Sequence, residues 1–278
     1  MQLPPRSWLL VAVAITAGIS SALLVPAPGA LPAEEAAAPT LEQLSSGKLK
    51  IVDLAYSLNA TTAYWPGGKY QPFRLETIAT LEKDGVLSKS FCSPEHLGTH
   101  IDAPNHFERR QPSVDQIATA NLFAPGVMID AAGRASADAD YRLSVADIEQ
   151  WEAAHGRIPA GAVVLLNTGW GRHWGNPTRV QNKDVQGRMH FPGYSAEAAK
   201  FLIEQRGAKG IGIDTMSMDY GLSRDFIVHH VVNSHGRYGL ENVAQLDQLP
   251  ATGFYLVIAP MKIETGSGGP TRIFAILP

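Results

Sequence analysis

The chain has 278 residues, 45% hydrophobic and 18% charged, with a net charge of −3 and no long run of one sign. That is ordinary globular composition, enough for one large domain or two small ones, and without a clustered basic face it argues against a nucleic-acid partner. The single cysteine, Cys92, excludes an internal disulfide, so stability has to come from a sizeable core.

The N-terminus stands apart in composition. Arg6 precedes an apolar run from Trp8 to Val25, and the Pro/Ala-rich stretch PAPGALPAEEAAAPT follows. A basic start, an apolar stretch and then small residues is the order of a secretory signal peptide. Residues 1–37 are therefore expected to be signal peptide and linker, cleaved between Gly29 and Ala38, with 38–278 as a single exported domain. An uncleaved anchor is the competing reading, because a run of roughly 18–20 apolar residues could span a bilayer. Arg6 stands alone, so no twin-arginine signal is present, and no cysteine follows the run to carry a lipid. Export implies a bacterial periplasm and no stable membrane insertion after cleavage.

In chain order, KIVDLAYSL reads as a strand and YWPGGKY (Tyr64–Tyr70) as a loop punctuated by Pro-Gly-Gly. FRLETIATL and LSKSFCSPEH alternate as strands do. GVMIDAAG is a further strand. SVADIEQWEAAHG opens with Ser144, carries apolar residues at helical spacing and stops at Gly156, the pattern of a capped helix. AVVLLNTGW and AKGIGIDT are buried strands. Between them SAEAAKFLIEQRG is a helix capped by Ser195 and ended at Gly207. FYLVIAPMKI and TRIFAIL complete the strands. Alternating strand and helix predicts an α/β domain. Cys92 is expected to be a buried small hydrophobe.

The informative stretch is EHLGTHIDAPNHF, which crowds His96, His100, Asp102 and His106 together. Gly98, Pro104 and the β-branched Thr99 and Ile101 oppose a regular helix. If Thr99–Asp102 is extended, His100 and Asp102 point to one side, and a bend at Gly98 can bring His96 round to them. Two imidazoles and a carboxylate suit zinc, manganese or iron(II) with coordination positions left open. His106 lies past a proline, and the triad is complete without it. That leaves it free as a general acid or base. A surface loop with chance histidines is the competing reading.

HLGTHIDAPNHF matches H-x-G-T-H-x-D-x-P-x-H, and the chain resembles the cyclase family of metal-dependent hydrolases, which holds kynurenine formamidases and isatin hydrolases. Further matches run in the family's order from about Val52 to the end: DLAYSL, YWPGG, NTGW, FPGYSAEAAKFL, GIDTMSMD and HHVVNSHGRYGLEN. The resemblance implies a swivelling β/β/α domain with a mixed central sheet flanked by helices, dimeric or larger. It implies His96, His100 and Asp102 as metal ligands and His106 as the catalytic histidine. His229 and Glu241, twelve residues apart, would help hold a second metal, with His230 competing for the place of His229. The cofactor is then one or two divalent ions, zinc or manganese.

Around this core, Trp65, Phe107, Trp170 and Ser217 are candidates for the substrate pocket, along with Trp174 for an aromatic wall. Asp214 and Asp219 are placed either beside the metal ligands or in turns and caps. His190 is a pocket or surface residue, and Glu95 is expected to point away from the ligands. The resulting expectation is hydrolysis of a C–N bond in a small cyclic amide by metal-activated water, with an N-formyl amine as the alternative substrate. The rival of a different class is a periplasmic metal- or ligand-binding protein without catalysis.

Overall fold

The computed structural model describes residues 41–277; the signal-peptide reading of residues 1–37 lies outside them. The strands in chain order are β1 (Lys50–Asp53), β2 (Arg74–Ala79), β3 (Ser88–Cys92), β4 (His100–Asp102), β5 (Phe123–Asp130), β6 (Arg142–Leu143), β7 (Val163–Asn167), β8 (Gly193–Tyr194), β9 (Gly210–Ile213), β10 (Tyr238–Glu241), β11 (Phe254–Pro260) and β12 (Gly268–Leu277). The α-helices are α1 (Leu41–Ser45), α2 (Leu81–Asp84), α3 (Ala132–Ala137), α4 (Val145–His155), α5 (Pro177–Gln181), α6 (Ala196–Lys200) and α7 (Ile227–Ser234).

Eight strands form one mixed sheet in the order β1-β12-β11-β5-β7-β9-β10-β4. Strands β5, β7, β9 and β10 run parallel to one another, and the remaining pairs are antiparallel. The length of β12 closes the sheet on itself. Its first residues, Gly268–Pro270, pair with Asp102–His100 of β4, while Thr271–Ile276 pair with β11. The fold is thus mixed α/β, as the strand and helix order predicts.

The central strands β7 and β9 are buried along their whole length because both faces are covered. Val164 and Leu166 of β7 pack with Ile148 and Trp151 of α4 and Ala198 and Ala199 of α6. Val163 and Leu165 turn the other way, into a second core with Leu240, Leu256 and Ile273. The two predicted helices form where their caps stand. Ser144 and Ser195 each accept a hydrogen bond from the backbone N–H three residues on. The second helix widens from α into a π segment at Phe201–Gln205 before it ends.

Several expectations are corrected. KIVDLAYSL is a strand only over Lys50–Asp53. FRLETIATL gives up its last residues to the turn and short helix at Leu81–Asp84. Cys92 is exposed at the end of β3 rather than buried. The β2–β3 hairpin forms its own two-stranded sheet and exposes Leu75, Ile78, Leu87 and Phe91.

Candidate active site

The short strand β4 sets the site. Its extended backbone puts His100 and Asp102 on the same side, as the alternation rule requires. On the neighbouring strand β10, Glu241 is the register partner of His100, so its carboxylate rises beside that imidazole. The bend that returns His96 falls at Gly98, which adopts φ +66°. A Cβ there would lie 2.5 Å from Leu58 Cδ2, so both the conformation and the space require glycine. His229 arrives from the opposite direction on the first turn of α7.

These side chains converge. Asp102 Oδ1 lies 2.7 Å from His96 Nδ1 and 3.2 Å from His100 Nε2, and its Oδ2 lies 3.4 Å from His229 Nε2. Glu241 stands 3.4 Å from His100 Nε2 through Oε2 and 3.1 Å from His229 Nε2 through Oε1. Asp102 belongs to two groups of potential ligands, one with His96 and His106 and one with His100 and Glu241. Within each group the ligand atoms lie within 4.8 Å of one another.

The residues fit a divalent cation. His100 Nε2 and Asp102 Oδ2 are buried and have no hydrogen-bond partner among the described residues, an arrangement that is costly unless something else meets them. Donor atoms roughly 3 Å apart are what ligands about 2.1 Å from one ion require. The other ring nitrogens are spoken for. His100 Nδ1 donates to Gly98 O at 2.8 Å, and His229 Nδ1 to Asp219 Oδ2 at 2.7 Å. Each leaves Nε2 pointing inward.

Two buried carboxylates demand positive charge, and the proton equilibria register it. Burial alone would depress the pKa of His100, but Asp102 and Glu241 outweigh it and lift it to about 10. Burial likewise opposes the charging of His229, whose pKa Asp102, Asp219 and Glu241 raise well above its ordinary range. Burial disfavours the Asp102 carboxylate, yet the surrounding imidazoles hold its pKa well below the usual value. His106 goes the other way. Burial, helped by its histidine neighbours against the pull of Asp102, pushes it down to about 3.

His106 stacks on the ring of His96, with centroids 3.8 Å apart, and meets Phe107 edge-on. Both line a cavity of about 270 Å³ whose base is His96, His100, His229 and Glu241. Its walls include Trp65, Tyr64, Tyr70 and Phe226, and Ser217 also lines it. Trp170 does not. It is buried in a small cluster with Phe191 and Val180, behind the wall residue Trp65 that packs against the same cluster, and its indole N–H donates to Val180 O. The sequence pattern could not separate the two tryptophans, because a pocket wall and a core both favour a large apolar ring. Trp174 stacks on Tyr56 away from this cavity.

The remaining candidates divide. Asp219 accepts from the backbone N–H groups of Val228 and His229 as well as from the His229 ring. It therefore caps α7 and orients a potential ligand at once. Asp214 serves the turn after β7, accepting from the Thr168 and Gly171 N–H groups, and burial raises its pKa. His190 pairs with Asp140 and His230 with Glu108, each at 2.8 Å and none of the four lining the cavity. Glu95 does not point away. It accepts from Ser267, whose hydroxyl touches His96 Nε2. Phe226 was not anticipated either. It holds φ +49° just before α7 and turns its ring toward Trp65, 5.5 Å away.

A closed mixed sheet bearing a buried cluster of histidines and carboxylates under an aromatic cavity defines a metal-dependent hydrolase. The Cyclase family model matches residues 52–220, and the chain belongs to that family. It is 35% identical over 251 residues to isatin hydrolase of Roseibium aggregatum, covering 85% of this chain and 95% of that one. It is 28% identical to kynurenine formamidase of Bacillus cytotoxicus, covering 80% and 94% of the two chains. The structure of isatin hydrolase A from Ralstonia solanacearum superposes with a TM-score of 0.82 at 36% identity, over 86% of this chain and 98% of that one.

Proposed function

We propose that the protein opens a small cyclic amide of the isatin kind by adding water across its C–N bond. The carrying observation is the cavity itself. It is small, its walls are Trp65, Phe107 and Phe226, and its base is the ligand cluster with His106 beside it. A flat aromatic amide would stack on those rings and present its carbonyl to the base. The 35% identity to an isatin hydrolase supports the same class.

The ligands are His96, His100 and Asp102, with His229 and Glu241 completing the shell or holding a second ion; zinc and manganese both suit imidazole and carboxylate donors. An ion held there supplies Lewis acidity, lowering the pKa of water from ~16 toward ~7 and polarising a carbonyl. The chain's own part falls to His106. Its ring is neutral, so it accepts a proton from the attacking water. It then delivers that proton to the leaving nitrogen, and the products are one carboxylate and one amine on the opened ring. No side-chain nucleophile is needed. Cys92 is exposed away from the cavity, and Ser217 is positioned to hydrogen-bond substrate or product.

The second substrate reading, an N-formyl aryl amine, is favoured by the kynurenine formamidase relative. Comparing kcat/KM for isatin with that for N-formylkynurenine on one metal-loaded preparation separates them. A preference for the formamide would move the assignment, and turnover of neither would leave the binding-protein class.

Two further properties belong to this reading. The Trp8–Val25 run after Arg6 supports export to a periplasm, with cleavage before residue 40; an intact Met1 in native material would contradict it. Association of two copies is supported by the exposed apolar side chains of the β2–β3 hairpin. Ile78→Glu is expected to shift the sedimenting species to monomer, and a monomeric wild type would remove the claim.

A further inference from the structure

We propose that Glu95 and Ser267 are positioning residues that select which nitrogen of His96 faces the metal site. The inference rests on His96 being a metal ligand, and it concerns the tautomer rather than the ligand set.

Glu95 Oε2 accepts from the Ser267 backbone N–H at 3.0 Å and from its hydroxyl at 2.6 Å. An ionised carboxylate only accepts, and a serine hydroxyl has one proton to give. Once that proton is committed to Glu95, Ser267 Oγ can only accept from His96 Nε2, 2.9 Å away. An imidazole that ligates a metal carries a single N–H, so His96 as a ligand holds it on Nε2. Its Nδ1 is left as a bare lone pair, 2.7 Å from Asp102 Oδ1. Two acceptors held that close need a cation or a shared proton between them, and in the metal-loaded site the ion takes that place.

His96 is the exception among the three histidines. His100 and His229 both spend Nδ1 on an acceptor, Gly98 O and Asp219 respectively, and turn Nε2 inward. His96 turns Nδ1 inward, and the residue that makes it do so comes from Thr265–Gly269, the lead into β12. That segment is fixed independently of the histidine. Ser267 O accepts from Ala103 N–H at 2.9 Å, Gly266 O from Val114 N–H at 2.9 Å, and Asp115 accepts from Thr265 N–H at 3.1 Å. It also fits closely against its targets. A Cβ on Gly268 would lie 2.6 Å from His96 Cε1, and one on Gly266 would lie 2.8 Å from Glu95 Oε1. The two glycines let the backbone come near enough for Ser267 to reach both side chains.

The test uses full-length mature protein loaded with zinc, which is diamagnetic. In protein labelled with ¹⁵N-histidine, long-range ¹H–¹⁵N spectra are expected to show His96 protonated at Nε2, with His100 and His229 protonated at Nδ1. A proton on His96 Nδ1 in the zinc-loaded wild type overturns the inference whether or not any variant folds. For Ser267→Ala, chelator competition is expected to show a loss of about 10–100-fold in zinc affinity, the usual effect of removing a ligand's hydrogen-bond partner. The melting temperature of the metal-free variant should stay near that of the metal-free parent. Ser267→Thr, which keeps the hydroxyl, should recover most of the affinity. Unchanged affinity in Ser267→Ala overturns the inference. His96→Ala serves as the reference. If it retains full zinc, the ligand assignment itself fails; if it loses zinc while Ser267→Ala does not, only the tautomer selection fails.

Discussion

The rings of His106 and His96 lie stacked, 3.8 Å between centroids and 20° between planes. The stack ties a proposed proton carrier to a proposed ligand without giving it a coordination role. His106→Ala is therefore expected to keep its metal and lower kcat roughly 10²–10⁴-fold, the range for losing a general acid–base group. Because burial keeps His106 neutral down to about pH 3, acid inactivation should follow metal loss and not a titration of this ring. Metal content and kcat measured together on the variant decide it. Loss of metal would make His106 a ligand, and activity within a few-fold of the parent would remove its catalytic role.

Asp102 contacts His96, His100 and His229 through its two oxygens. Asp102→Ala should abolish stoichiometric metal binding, because a site with open positions cannot spare a central ligand. Glu241→Ala should cost one ion if two are bound. Elemental analysis of both variants gives the count, and full occupancy in Asp102→Ala would contradict the ligand set.

The pH dependence has a definite sign. In metal-free protein, His100 is lifted to about 10 and His229 well above its ordinary value. A pKa raised on folding contributes stability that is complete below the unfolded value of about 6.5 and is lost as pH climbs through the folded value. The Asp102 contribution, from a lowered pKa, is already complete above about pH 4 and stays flat in this window. The melting temperature of chelator-treated protein should therefore fall between pH 7 and 10. Metal-loaded protein has exchanged those protons for the ion, so the gap between the two should widen. A metal-free melting temperature that is flat across the window would show the imidazoles are not charged.

Asp219 joins the cap of α7 to the orientation of His229. Asp219→Ala should lower the melting temperature of metal-free protein by about 2–4 °C, from a cap worth ~1 kcal/mol. It should also weaken metal binding about 10–100-fold. A stability loss without any change in affinity would reduce Asp219 to a capping residue.

The two tryptophans give a direct contrast. Trp65→Ala, at the cavity wall, is expected to raise KM and to lower the melting temperature less than loss of the fully buried ring does. Trp170→Ala, in the core cluster, is expected to destabilise by about 3–5 kcal/mol and leave KM of the folded fraction unchanged. Kinetics and thermal unfolding of the pair check the division; a KM effect from Trp170 alone would reverse it.

What the sequence made legible follows from where the signals are local. Strands β7 and β9 were readable because both faces are buried and the apolar run is unbroken. Helices α4 and α6 were readable because Ser144 and Ser195 cap them in place. Helix α7 was not read. Its N-cap position is Phe226 in a left-handed conformation, and its caps come from Asp219, nine residues before Val228. Strands β4 and β10 are three and four residues long and carry histidine and carboxylate side chains instead of an alternating apolar face. In the site, the spacing of His96, His100 and Asp102 was enough to group them. His229 and Glu241 came only through the family resemblance, since helix and strand pairing bring them in from elsewhere in the chain. Ser267 carried no signal at all. It sits in TGSGG, which reads as a flexible connection, and its role depends on β12 closing the sheet beside β4.

If hydrolysis of a cyclic amide runs on a metal held by these residues, isatin turnover has to follow the equivalents of zinc or manganese added to chelator-treated protein. Turnover should be absent without metal and rise with loading to a plateau at one or two equivalents. The product should be heavier by one water and should carry a new carboxylate. Hydrolysis that is independent of added metal, or a fully loaded protein that leaves the cyclic amide intact, would contradict it.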